Sequence, residues 1–178
     1  MKAEILVGEI LEVWNHPESE KLYCEKVKVG PSELYVRTIA SGLRQHVPVD
    51  GMKGKVLVFA NLKPRKLAGF QSEGMILCAS QKDKEGSGVA TVIEISRPDP
   101  QAVPGERVYL DLPDVPADEL ETVLGSKLHL PSPSNSVVEN ILKNLATDGN
   151  GRITYRGTLL RTKSGYLTSH KLLNSPVS

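Results

Sequence analysis

Short runs of β-branched, aromatic and other apolar residues, separated by turn residues, recur along residues 5–110. They predict strands at residues 5–14, 23–29, 34–40, 55–60, 75–79, 89–95 and 107–110. Turn-type residues between the second and third runs predict a hairpin. Gly8, inside the first run, predicts a bulge or a bend. Many short strands with almost no helix favour a small closed barrel or a sandwich.

The last third of the chain predicts a second unit. Residues 111–150 carry two basic and seven acidic side chains, whereas residues 151–178 carry five basic and no acidic ones. We place a boundary in the acidic, proline-punctuated segment that begins at residue 111. A helix is predicted at residues 136–145, with Ser136 and Glu139 as a capping box, a turn at residues 148–151 and strands at 153–161 and 166–171. The helix has one apolar face, so we expect it to dock on the barrel or on another subunit.

A basic segment stands out because the whole chain has a net charge of only +1. Residues 51–72 contain no acidic side chain and five basic ones, Lys53, Lys55, Lys63, Arg65 and Lys66. Arg37 and Arg44 add to it, and Asp50 is the only acid between Glu33 and Glu73. The alternative is a solvated lysine-rich loop. Since a predicted strand would hold these cations rigidly, we favour a positive face that binds an anionic polymer.

The candidate motifs for catalysis or metal binding each lack required residues. Residues 69–74 have the glycine spacing of a phosphate-binding loop, but the required Lys and Ser or Thr do not follow. Residues 148–153 match the middle of an EF-hand loop, but Ala146 and Gly157 occupy its first and twelfth ligand positions. The histidines lack metal spacing and an acid–base partner; they are His16, His46, His129 and His170. We therefore expect no enzyme, no cofactor and no metal site.

The sequence also bears on location. No apolar run approaches the ~20 residues needed to cross a bilayer. Glu4 and Glu9 interrupt the first apolar segment, which is unlike a signal peptide. The two cysteines, Cys24 and Cys78, have no metal-site spacing and need not pair. We expect a reducing, cytoplasmic compartment.

Four short motifs occur in a fixed order and carry a family resemblance. They are His16-Pro17 with Glu20-Lys21-Leu22, then Ser41-Gly42-Leu43, then Asn61-Leu62-Lys63-Pro64, then Ser72-x-Gly74-Met75. Over about residues 5–111 the chain resembles the tRNA-binding domain of some methionyl- and tyrosyl-tRNA synthetases, stand-alone tRNA-binding proteins and synthetase cofactors. Residues 136–178, with Tyr155-Arg156-Gly157, resemble the C-terminal extension of the endothelial-monocyte-activating polypeptide II branch.

The resemblance implies a mainly β fold with two units. Residues 1–111 would form a five-stranded oligonucleotide-binding (OB) barrel, and residues 112–178 a small α+β extension. The extension would pack where a second subunit sits in the stand-alone dimers, which implies a monomer with pseudo-dimeric packing.

The implied function is a non-catalytic, structure-directed tRNA-binding module. It would deliver or retain tRNA for an aminoacyl-tRNA synthetase, methionyl or tyrosyl, or for a multisynthetase complex, in cis or in trans. The alternative is a protein-interaction module, chaperone-like or cytokine-like, that uses the same barrel.

The residues expected to contact tRNA come from two lines of reasoning. Four match the family motif on its binding side: Asn61, Lys63, Ser72 and Met75. Charge and placement add five more: Lys21, Arg37, Arg44, Arg65 and Lys66. Structural roles stay open for several of them, including turn shaping for Asn61, strand core for Met75 and ordinary surface for Lys21.

Overall fold

The computed structural model describes residues 3–82, 90–116 and 130–178. His129, most of the predicted polar loop after residue 81 and the acidic segment from residue 117 lie outside the described residues. None of the described helices is long and apolar enough to span a membrane.

Five antiparallel strands form one sheet in the order β3-β2-β1-β4-β7. They are β1 (Ile5–Asn15), β2 (Tyr23–Lys28), β3 (Val36–Ser41), β4 (Gly54–Phe59) and β7 (Met75–Ile76), with a short helix α1 (Val49–Met52) before β4. Side chains join β3 to the residues that lead into β7, because the Ser72 hydroxyl accepts a hydrogen bond from the Ala40 amide and the Glu73 carboxylate accepts one from the Thr38 amide. The sheet is therefore a nearly closed five-stranded barrel, as the resemblance implies.

Two hairpins and a second sheet complete the described structure. One hairpin joins β5 (Arg65–Leu67) to β6 (Phe70–Ser72), and the other joins β8 (Cys78–Lys82) to β9 (Ala90–Ile95). The second sheet has the order β10-β13-β12-β11. It consists of β10 (Tyr109–Leu110), β11 (Leu145–Thr147), β12 (Ile153–Tyr155) and β13 (Thr158–Arg161), and α2 (Asn135–Lys143) precedes β11.

The bulge in β1 lies elsewhere than predicted. Pairing with β4 continues in register through Gly8, whereas the register with β2 shifts between Ile10 and Glu12. A Cβ atom at Gly8 would lie 2.8 Å from Val27 Cγ1 and 3.0 Å from Val58 Cγ2. Gly8 is therefore a site of close packing inside the barrel, where no larger residue fits without a shift.

The first half of β1 and most of β4 are buried on both faces. Their inward side chains join the barrel core, which includes Leu6, Ile10, Val56 and Val58. Their outward side chains belong to a second core, which includes Ile5, Val7, Leu57 and Phe59. Residues of the C-terminal segment complete that second core: Ile141, Leu145, Ile153, Leu160, Leu167, Leu172 and Val177. Helix α2 therefore docks on the barrel, which was one of the two expected arrangements.

The last residues of the chain extend this packing with hydrogen bonds to the main chain and to one side chain of the β8–β9 hairpin. Cys78 and Ser178 exchange two amide–carbonyl bonds of 2.9 Å. The Glu94 carboxylate accepts hydrogen bonds from the amides of His170, Lys171 and Leu172 at 2.7–3.0 Å. The C-terminus thus covers an edge that would otherwise expose unpaired backbone groups.

Several predicted boundaries and one cap are wrong. Helix α2 begins at Asn135 after Ser134, whose side chain makes no capping bond, so the predicted capping box is absent. The Ser134 hydroxyl instead lies 3.1 Å from the Ser136 hydroxyl. Leu145 begins a strand rather than ending the helix, and residues 148–151 form the turn between β11 and β12.

Three further strand predictions needed tertiary information. The predicted strand at 153–161 divides at Arg156 and Gly157, whose φ angles of 51° and 82° make a tight hairpin turn. The predicted strand at 166–171 makes only isolated bridges, through Tyr166 and Thr168. Residues 33–35 form a 3-10 turn, so β3 begins at Val36 rather than at residue 34.

A carboxyl group lies inside the barrel. Glu25 on β2 is fully buried, and the Ser41 hydroxyl donates a hydrogen bond to its Oε1 atom. Its Oε2 atom has no hydrogen-bond partner among the described residues. Burial raises the pKa of Glu25 to about 8, because desolvation disfavours the carboxylate more than the Ser41 bond favours it.

We expect this buried acid to make the stability pH-dependent. Between about pH 4.5 and pH 8 the folded chain holds a proton on Glu25 that the unfolded chain has lost. The contribution of Glu25 to stability is therefore highest below this window and falls as pH rises through it, by on the order of 5 kcal/mol in all. Urea unfolding of Glu25→Gln at a series of pH values should show a flatter profile than the parent. The control is Glu12→Gln, which removes an exposed ion pair with Lys26 and should keep the parent profile. A Glu25→Gln profile as steep as that of the parent would contradict the role of Glu25 in the pH dependence.

Candidate nucleic-acid interface

The predicted basic segment does not form one continuous face. Lys53 and Lys55 lie at the start of β4, where Lys53 pairs with Asp50 at 3.9 Å and Lys55 Nζ donates to the Pro100 carbonyl at 2.7 Å. The other cations follow the far end of β4, which is about 17 Å away at ~3.3 Å per residue. The single patch predicted for residues 51–72 is therefore wrong. What remains is a group of three exposed side chains: Lys63, Arg65 and Lys66.

The β5–β6 hairpin presents two of these cations. Arg65 pairs with Ser72 and Lys66 with Gln71 across its strands. Its two-residue turn, Ala68-Gly69, has φ angles of 48° and 83°, which match the twist of a hairpin. Arg65 and Lys66 are both exposed on this hairpin. Short paired strands hold them in place more firmly than an irregular loop would.

The base of the hairpin is fixed to the barrel through Ser72 and Glu73. The buried Ser72 hydroxyl accepts from the Ala40 amide at 3.0 Å and donates to the Gly74 carbonyl at 3.1 Å. The Glu73 carboxylate accepts from the Thr38 amide at 3.0 Å and from the Thr38 hydroxyl at 3.2 Å. Ser72 is thus engaged inside the protein.

Arg37 and Arg44 are half-buried, and each bonds to main-chain carbonyls. Arg37 Nη1 donates to the carbonyls of Ala60 and Glu73, where β4 and β6 end. Arg44 Nη1 donates to the carbonyls of His16 and Ser19, at 3.3 Å and 2.8 Å. Both guanidinium groups therefore hold chain segments beside the exposed cations. Arg44 in particular fastens the loop between β1 and β2, which carries the exposed Lys21.

Asn61 and Met75 also face inward. Asn61 is buried, its Oδ1 atom accepts from the Glu4 amide at 2.9 Å, and its Nδ2 atom donates to the Pro131 carbonyl at 3.1 Å. Met75 is half-buried against the core that the barrel shares with the C-terminal segment. The exposed members of the predicted set are therefore Lys21, Lys63, Arg65 and Lys66.

An aromatic contact that the sequence did not reveal links the hairpin to β1. The Phe70 ring lies edge-on to Trp14, with centroids 6.0 Å apart, and edge-on to the buried His16 at 6.2 Å. Trp14 is 36% exposed. One signal was available, because Trp14 is the only tryptophan and ends a predicted strand. Its neighbour in space is 56 positions away in sequence, so its surroundings could not be predicted.

Two arginines of the extension are paired. Arg152 and Arg161 both lie over the Tyr166 ring, at 5.7 Å and 5.2 Å, and each pairs with an aspartate, at 3.2 Å and 3.8 Å. Arg156 is exposed and lies over the Tyr155 ring at 5.5 Å. Arg152 and Arg161 are therefore less available to an anion than the cations of the β5–β6 hairpin are.

A large groove has balanced charge and reaches the base of the hairpin, where Arg37 and Glu73 line it. Its volume is about 740 Å³, and Leu34, Tyr35 and Val103 supply part of an apolar wall. Its acidic and basic residues are equal in number: Glu4, Glu73, Glu106, Arg37, Arg107 and Lys163. A groove with no excess of positive charge does not favour an anionic polymer.

Metal ligation finds no support in the described part of the chain. Among residues 3–82, 90–116 and 130–178, no three His, Cys, Asp or Glu side chains are grouped so that they could hold a metal ion. Cys24 and Cys78 are free and buried, and burial raises the pKa of both thiols.

We expect Ser72 to act through the fold. Ser72→Ala removes the acceptor of the Ala40 amide and should lower the free energy of unfolding by about 1–3 kcal/mol. Gln71→Ala, at an exposed position on the same strand, should change it by less than about 0.5 kcal/mol. Urea denaturation of the two variants measures both. Equal stability of Ser72→Ala and the parent would contradict the structural role.

Comparison with known proteins agrees with this geometry. A family model described as "Putative tRNA binding domain" matches residues 5–107. The chain is 33% identical to the aminoacyl tRNA synthase complex-interacting multifunctional protein 1 of Cricetulus griseus over 179 residues, 99% of this chain and 44% of that protein. It is 40% identical over 109 residues to the cytoplasmic tyrosine–tRNA ligase of Xenopus laevis, 61% of this chain and 19% of the ligase. The chain thus spans less than half of each of these relatives.

A solved structure extends the similarity over the whole chain. The crystal structure of the C-terminal domain of Plasmodium vivax p43 superposes with a TM-score of 0.78 and 28% identity, covering 99% of this chain and 97% of that one. The similarity therefore includes the segment that follows the barrel. Since the family model covers more than half of its residues, the chain belongs to the tRNA-binding domain family.

Proposed function

We propose that this chain is a non-catalytic module that binds folded tRNA and delivers or retains it for an aminoacyl-tRNA synthetase. The observation that carries the proposal is the group of exposed cations Lys63, Arg65 and Lys66 on a barrel of the tRNA-binding family. Phosphates supply most of the affinity in such complexes, and cations on a fixed hairpin can match their spacing. RNA helices are recognised largely by shape and backbone, which suits a rigid surface of this kind.

The nine predicted residues divide into two roles in this proposal. The exposed cations contact phosphates directly: Lys21, Lys63, Arg65 and Lys66. The others position them: Arg44 holds the loop of Lys21, while Arg37, Asn61, Ser72 and Met75 fix the segments around the hairpin. A side chain that already bonds within the protein can still set the geometry of its exposed neighbours.

The relatives support the choice of partner. One relative is named for its interaction with the aminoacyl tRNA synthase complex, and another is a tyrosine–tRNA ligase. We infer that this chain works together with a synthetase, in cis or in trans, in the cytoplasm. Tethering tRNA beside a synthetase raises its effective concentration without any chemical step.

The domain organisation that we propose has two units in one monomer. The barrel, residues 1–111, binds tRNA, and the extension, residues 112–178, covers the outer apolar face of β1 and β4. A face that is already covered within the chain has no need of a second subunit. This arrangement supports pseudo-dimeric packing.

The first experiment measures binding of unfractionated tRNA across a salt series. The triple variant Lys63→Ala, Arg65→Ala, Lys66→Ala should bind more weakly, and its slope of log K against log salt should be shallower by about 2–3, since each lost phosphate contact removes about one. The matched control is Lys53→Ala, Lys143→Ala, Lys171→Ala, which removes the same charge from exposed positions elsewhere.

Equal slopes for the two triple variants would show that net charge alone matters and would contradict the proposed surface. Absence of tRNA binding by the folded parent at low salt would contradict the tRNA function itself and would favour the protein-interaction alternative.

We also expect the full chain to be monomeric. Sedimentation equilibrium over a wide concentration range should give a single species near 19.4 kDa. The reason is that the extension buries the outer side chains of β1 and β4, which leaves no large apolar face among the residues that form this core. A concentration-dependent dimer would contradict the pseudo-dimeric arrangement.

A further inference from the structure

Trp14 and Phe70 form a small aromatic unit at the edge of the cationic hairpin. Trp14 lies near the end of β1, where it pairs with Cys24 of β2, and Phe70 opens β6 opposite Leu67. Their centroids are 6.0 Å apart, with an angle of 77° between the rings. His16 contacts Phe70 edge-on at 78°, so Phe70 lies between two aromatic neighbours.

This contact has a structural use, but it leaves part of the indole open. An edge-to-face pair contributes about 0.5–1.5 kcal/mol, and here it holds the β5–β6 hairpin against the end of β1. Trp14 nevertheless remains 36% exposed. A single exposed apolar residue is common on protein surfaces. What distinguishes Trp14 is that its ring contacts Phe70, a residue of the hairpin that also carries the exposed Arg65 and Lys66.

Two chain segments that adjoin this aromatic unit carry exposed cations. Lys66 of β5 pairs with Gln71, which is the residue after Phe70. Arg65 immediately precedes Lys66 on β5. Lys21 is exposed in the loop that follows β1, and Arg44 fastens this loop through the carbonyls of His16 and Ser19.

The loop side also carries two exposed acids, Glu18 and Glu20. Because these acids repel phosphates, the phosphates nearest to Trp14 should lie on its hairpin side, and Lys21 should contact a phosphate farther along the RNA.

We propose that Trp14 is a stacking platform for an unpaired base of the bound tRNA. This inference rests on the proposed function. An aromatic face adjoining cations that hold the backbone is the arrangement by which proteins bind single-stranded nucleic acid. A base inside a duplex is stacked on both sides and has no face to offer. The ligand of this site is therefore a nucleotide from a loop or an end of the RNA.

The single tryptophan makes the contact directly observable. Stacking of a base on the indole should quench the fluorescence of Trp14, and no other tryptophan contributes to the signal. Titration with unfractionated tRNA should quench the emission with the same Kd that fluorescence anisotropy of labelled tRNA gives. A blunt-ended RNA duplex at equal phosphate concentration should quench little. Free tryptophan, titrated in parallel, corrects for absorption by RNA.

Variants separate stacking from structural support. Trp14→Leu keeps an apolar side chain against Phe70 but removes the flat aromatic face, and we expect tRNA binding to weaken about 5- to 150-fold. Trp14→Phe should restore most of this loss. The salt slope should stay that of the parent in both variants, because no phosphate contact is removed. Leu34→Ala, at an exposed apolar position on the 3-10 turn, is the control and should bind like the parent.

The outcomes distinguish this inference from the function on which it rests. Binding of tRNA without quenching, or equal affinity of Trp14→Leu and the parent, would overturn the stacking platform and leave the proposed function intact. Equal losses in Trp14→Leu and Trp14→Phe would also overturn it. A folded parent that binds no tRNA by anisotropy would overturn both.

Discussion

The structure depends on the first half of β1 and most of β4 being buried on both faces. Their inward side chains fill the barrel, and their outward side chains need a cover from elsewhere in the chain. At roughly 25 cal/mol per Å² of apolar surface, leaving the outer face in water would cost more than most single interactions in the molecule contribute. The segment after residue 130 supplies that cover. Its helix and strands exist in their present places because they share this core with the barrel.

The barrel closes through side chains, and this determines which residues are left for binding. The edge strand β3 is joined to the residues that lead into β7 through Ser72, Glu73 and Arg37 rather than by a complete backbone ladder. Ser72, which belongs to the family motif, and its neighbour Glu73 therefore hold the fold together next to the exposed cations. A change at one of them alters stability and the position of the hairpin at once. Structure and binding are coupled at this place because the same short segments serve both.

Local patterns in the sequence were sufficient for much of the fold. The apolar run at residues 23–29 predicted strand β2. Turn residues predicted the hairpin between β2 and β3. The order and spacing of four motifs gave the family, and the barrel that the family implies is present. Lys63 was predicted from the family motif, and Arg65 and Lys66 from charge and placement; all three are exposed.

The sequence by itself determined the strand positions, the family and the exposed basic turn, since each depends on residues close together in the chain. The tertiary structure decided what depends on distant contacts. It separated Lys53 and Lys55 from the later cations, because a strand stands between them. It buried Asn61 between Glu4 and Pro131 and brought Phe70 to Trp14. Periodicity cannot specify such contacts, because their free energy arises only when segments far apart in sequence pack against one another.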